Sequence, residues 1–110
     1  MSAMLWVTTE EIRGKRIVET LNGVRGNAIR ARHIGRDISA FLKNLVGGEL
    51  RDYTQLMAQA REQAIDRMID DARSIGANAV VAVRFATAEI ASGAAEMLAY
   101  GTGVIVEDDV

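Results

Sequence analysis

Between Leu50 and Ile75 the apolar residues Leu50, Tyr53, Met57, Ala60, Ala64, Met68, Ala72 and Ile75 return every three or four positions. Arg61, Glu62, Asp66, Arg67, Asp70 and Asp71 fall on the other side. That spacing predicts one amphipathic helix with a single sheet-facing stripe. Asp52, with Gln55 three residues on, reads as a capping box, and Gly76 supplies a C′ residue. A helix of about 23 residues would be roughly 34 Å long at 1.5 Å per residue. In a chain of 110 residues such an element spans a whole sheet.

The flanking segments have the composition of strands. Leu5 to Thr9 is apolar and β-branched, and the polar residues Glu10 to Lys15 follow it. Arg16 to His33 reads as one long extended stretch anchored by Ile17, Val18, Leu21, Val24 and Ile29, with Gly23 and Gly26 as bulge or turn points. Neither face of it is cleanly apolar, the pattern of a strand covered partly by its own helix and partly by another subunit. Asp37 caps a predicted short connector helix carrying Ile38, Phe41, Leu42 and Leu45, stopped by Gly47 and Gly48. After the long helix, Asn78 to Ile90 and Ala94 to Glu107 form a predicted hairpin turned by Ala91, Ser92 and Gly93. The order predicts a two-layer α+β fold: an antiparallel or mixed sheet of about four strands with one long helix on it, plus the connector helix. With no proline, linker or repeat, residues 1–110 form a single domain.

That domain is short of bulk. Hydrophobic residues make up 49% of the chain, but only five are aromatic and seventeen are alanine, so each buries little area. Small domains compensate with disulfides, metals or subunit contacts, and a chain without cysteine has neither disulfides nor thiolate metal sites. Homo-oligomerisation is the expectation that remains. Ala28, Ala31, Ala86, Ala88, Ala99 and Gly101 are small enough to let neighbouring subunits approach closely. A net charge of −2, from 13 basic and 15 acidic residues, argues against coating nucleic acid or anionic membrane. The longest apolar run, Ala79 to Val83, is too short to span a bilayer. A reducing cytoplasm is the expected compartment.

Few constellations carry chemistry. Arg25, Arg30, Arg32, Arg36 and Lys43 form the densest basic cluster, with His33 inside it. Arg30, Arg32, His33 and Arg36 are the candidate residues for a small anionic ligand, and without base-stacking aromatics the cluster does not fit nucleic acid. One imidazole among arginines does not make a transition-metal site. Glu62, Asp66 and Asp70, at i, i+4 and i+8, form a linear acidic stripe that reads as a solvated face rather than a cage for a hard cation. Gly47-Gly48 lacks the Lys-Ser/Thr of a phosphate loop, and Gly101 and Gly103 fall inside a predicted strand. No nucleophile–base pair stands at motif spacing, so no catalytic residue is named.

Several stretches together resemble a known family. They are Gly14, Lys15, Ile17 and Glu19; Gly23, Val24 and Gly26; Asp37, Ile38 and Ala40 before Gly47 and Gly48; Gly76 to Val81; and Tyr100, Gly101 and Thr102. In this order, from about Met4 to Glu107, they are similar to the YbjQ-like family of small bacterial and archaeal proteins, with Ser39 standing where the family tends to carry glycine. The resemblance implies an α+β subunit assembled as a ring-shaped homo-oligomer, typically a pentamer, and brings a heavy-metal-binding label without an established activity. Two functions from different classes follow: an oligomeric scaffold or small-ligand-binding module without catalysis, and a metal-binding or metal-sequestering protein. Neither implies a named cofactor.

Overall fold

The computed structural model describes residues 3–31, 48–91 and 94–109. Its elements are β1 (Leu5–Trp6), β2 (Lys15–Ala31), the helix α1 (Gly48–Ser74), β3 (Ala79–Ala91) and β4 (Ala94–Asp108). The sheet order is β1-β3-β4-β2. β1 runs parallel to β3, and β4 pairs antiparallel with both β2 and β3, so the sheet is mixed. This is the α+β arrangement that the sequence predicts, with one helix on one sheet face. The predicted connector helix over residues 37–45 lies outside the described residues, as do Ser92 and Gly93 of the hairpin turn.

The helix starts at Gly48, a turn before the capping box at Asp52. At the other end the signal holds. Gly76 adopts φ +86°, Ala77 donates its N–H to the Ala72 carbonyl at 3.0 Å, and Gly76 donates to Arg73 at 3.0 Å. These are the paired bonds of a Schellman ending, and glycine is the residue that enters the left-handed region without strain.

Alanines set the distance between the layers. Ala60, Ala64, Ala72, Ile65 and Met68 of α1 are buried against Val24, Ala28, Val80, Val83, Met97 and Ala99 of the sheet. The helix lies nearly on the backbone of β2: a Cβ placed on Gly26 would run into the Ala64 carbonyl oxygen and the Met68 nitrogen. Gly26 is therefore a point of close approach, not the bulge expected of it. The bulges of β2 fall between Ile17 and Glu19 and between Thr20 and Gly23. Ala28 and Ala99, expected to face a neighbouring subunit, are consumed here at 0% exposure. Gly101 likewise lies against Val80, Val81 and Val83 of its own subunit.

Among the described residues the second sheet face is covered at one end. Ala79, Val81 and Val104 make a small second cluster there with Val7, Ile12 and Val106. The chain after β1 is fastened over it through Val7 N–H to Val80 O (2.9 Å), Val83 N–H to Val7 O (3.0 Å) and Ala82 N–H to Thr9 O (2.8 Å). Ala82 takes φ 55° in this bulge of β3. Beyond it, every residue of β3 from Arg84 to Glu89 is exposed. The molecule measures 57 × 24 × 24 Å with a Cα radius of gyration of 17.3 Å, against about 13 Å for a compact domain of this length.

Candidate functional site

Arg30 is the one predicted ligand residue within the described region; Arg32, His33 and Arg36 lie outside it, as does Lys43. Along β2, Val24, Gly26 and Ala28 are buried while Arg25, Asn27 and Ile29 are exposed. Arg30 therefore projects on the helix side and Arg25 on the opposite side. The structure does not bring these two members of the basic cluster together.

Near Arg30 the close fit of helix and strand opens into a groove of about 500 Å³ lined by Arg30, Ala58, Gln59, Glu62, Gln63 and Asp66. The Nε of Arg30 is buried there without a hydrogen-bond acceptor among the described residues. Glu62 is engaged by Arg61, with Nε 3.4 Å from its carboxylate, and Asp70 by Arg73 at 3.6 Å. The predicted acidic stripe is thus solvated and internally paired at two of its three positions, while Asp66 faces the groove with no ion pair among the described residues. Sequence reasoning placed Arg30 and Asp66 in separate clusters; only the antiparallel course of α1 over β2 puts them on one groove.

One and two turns further along α1 the helix binds the edge of β2 directly. Arg67 donates from Nη1 to the Asn27 carbonyl at 2.6 Å, and Asp71 accepts the Arg25 N–H at 3.0 Å. These backbone groups belong to the outer edge of the sheet, so two charged side chains blunt its middle. A second open region, of about 700 Å³, lies among residues 8–13 and Arg84. Arg84 is held there by Nη1 donating to the carbonyls of Thr8 at 2.7 Å and Val83 at 2.9 Å. At the far end of the hairpin Lys15 pairs with Asp108, and that hydrogen bond with its ion-pair attraction holds the Asp108 carboxyl below the usual range.

Among the described residues no three or more His, Cys, Asp or Glu side chains are grouped to hold a metal ion. Soft metals select thiolate and imidazole donors, and the whole chain has no Cys and one His. The donor set of the described residues does not fit a heavy metal. Nor is any helix among them long and apolar enough to cross a membrane.

These features define a small two-layer α+β domain with a mixed-charge groove. The chain belongs to the YbjQ family, whose model, described as "Putative heavy-metal-binding", matches residues 4–107. It is 57% identical over 106 residues to a UPF0145 protein of Clostridioides difficile, covering 96% of this chain and 95% of that protein. It is 54% identical over 109 residues to one of Thermococcus kodakarensis, covering 99% and 96%. These relatives carry no enzymatic name. Among solved structures it is similar to a Pediococcus pentosaceus protein of unknown function from the DUF74 family. That match has a TM-score of 0.57 at 14% identity and covers 94% and 98% of the two chains; it concerns the fold alone.

Proposed function

We propose that this chain is the subunit of a homo-oligomeric, non-enzymatic module that acts in the cytoplasm as a scaffold or holder of small ligands. The observation that carries the reading is the distal half of β3. From Arg84 to Glu89 both faces are exposed, Phe85 remains 38% exposed, and among the described residues the outer edge has no strand beside it, because β1 pairs only at Ala79 and Val80. An unpaired edge this long is a template for another strand. The partner is a second copy. The outer edge of β2 near Lys15–Leu21 is also unpaired among the described residues, and it carries the exposed Ile17 and Val18. Joining one edge to the other is a heterologous contact, which closes into a ring when the rotation permits. A pentamer is the ring that the family resemblance suggests.

Proline at position 87 separates this reading from a purely monomeric one. Val83 directs its N–H to the outer side of β3, and by strand alternation so does Thr87. Thr87→Pro therefore removes no bond within the subunit but blocks a strand added at that edge. We expect the variant to keep wild-type circular dichroism and to lose the oligomer in light scattering. A wild-type chain that is monomeric at micromolar concentration overturns the reading. The metal-sequestering alternative has the family's description behind it but no donor group among the described residues; stoichiometric zinc, copper or nickel in the purified protein would restore it.

A further inference from the structure

We infer that the groove between the end of β2 and α1 is a binding site for a small zwitterion of the α-amino acid class, a molecule carrying one carboxylate and one ammonium group. The inference deepens the ligand-holding half of the proposed function and rests on it. Three observations meet in the groove. The Arg30 Nε is buried and has no acceptor among the described residues. A buried donor left unmade is costly, and structures rarely keep one without a use. Among the described residues Asp66 lines the same groove without an ion pair, and Glu62 beside it is held by its exposed neighbour Arg61. Gln59 and Gln63 add amide donors and acceptors.

The charges select the ligand. A simple anion would satisfy the guanidinium but meet two carboxylates, and a simple cation would satisfy the carboxylates but meet the guanidinium. A molecule with both groups complements the whole lining, its carboxylate accepting from Arg30 and its ammonium donating to Asp66 and Glu62. The groove, about 500 Å³, falls within the range of small-molecule sites and has room for such a ligand. The edge of β2 stops being capped where the groove begins. Arg67 and Asp71 occupy the backbone edge at Asn27 and Arg25, whereas among the described residues Gln63, one turn before Arg67, has no such bond to the strand. The same helix face that closes the edge elsewhere is left free here.

The test is calorimetric titration of the full chain with each of the twenty standard α-amino acids, followed by the N-acetyl and amide derivatives of the tightest binder. We expect saturable binding of at least one amino acid and a loss of about tenfold or more in affinity for each derivative lacking one charge. Arg30→Gln and Asp66→Asn should each reduce affinity about tenfold while circular dichroism and subunit assembly stay as in the wild type. No binding by any amino acid at millimolar concentration overturns the proposal. So does equal binding of the singly charged derivatives, or unchanged affinity in both folded variants. Light scattering on the same samples reports assembly independently, so a failed groove and a failed oligomer are distinguishable.

Discussion

The two ends of the β3–β4 hairpin are built from the same kinds of residue but have different surroundings. At the proximal end, Ala79 to Val83 and Val104 are enclosed by α1 or the second cluster on the two faces and by β1 on the edge, and almost every position is buried. At the distal end β3 is exposed at each residue from Arg84 to Glu89, and its outer edge is unpaired among the described residues. The switch occurs at the Ala82 bulge, where the chain after β1 makes its last backbone bonds to β3. Strands are stable when faces and edge are both satisfied. The proximal end achieves this within one subunit, and in our account the distal end achieves it with a neighbour.

Gly26→Val breaks the proximal end most severely. Its side chain would collide with the backbone of α1 at Ala64 and Met68, and we expect a loss of about 3 kcal/mol, read from urea denaturation. Met68→Ala removes the largest side chain at 0% exposure in the same interface and should cost about 3 kcal/mol with the fold retained.

How far the sequence led follows from the kind of signal each element carries. The apolar stripe from Leu50 to Ile75, with Gly76 behind it, announces a helix because its period is local, and the strands announce themselves by β-branched runs. What stayed hidden depends on contacts distant in sequence. Gly26 looks like a bulge until the helix lands on it, and Ala28 and Ala99 look like interface residues until the same helix buries them. Arg30 was legible as a candidate ligand residue, but its neighbours Asp66 and Gln63 are supplied by the antiparallel course of α1. Arg67 and Asp71 read as solvated charges, since nothing local says that they reach a strand edge 40 and 46 residues away.

Smaller changes sharpen the contrast between closed and open edges. Asp71→Ala leaves the Arg25 N–H without its acceptor and should cost about 1 kcal/mol. It also lengthens the bare edge of β2, so aggregation at high concentration should rise in turbidity measurements. Ala82→Gly relieves a left-handed backbone strain of about 1 kcal/mol, partly offset by the entropy of glycine. A net gain of about 0.5 kcal/mol in unfolding free energy, read as a raised denaturation midpoint, is expected, with assembly unchanged. The smallest effect belongs to Asp108. Because Lys15 lowers its folded-state pKa, its contribution to stability is present above the ordinary carboxylate pKa and is lost as pH falls through the depressed value. Wild-type stability minus that of Asp108→Asn, followed between about pH 5 and pH 2, should shrink with acid and with added salt.

The proposed ring depends on the distal edge of β3, unpaired among the described residues, being a subunit interface. Light scattering coupled to size exclusion, run on the wild-type chain and on Thr87→Pro at micromolar concentration, tests this most directly. We predict a closed oligomer, five times the 11.9 kDa subunit mass, for the wild type and a folded, smaller species for the variant. A wild-type mass equal to one subunit would contradict the account, as would an oligomer that Thr87→Pro leaves intact.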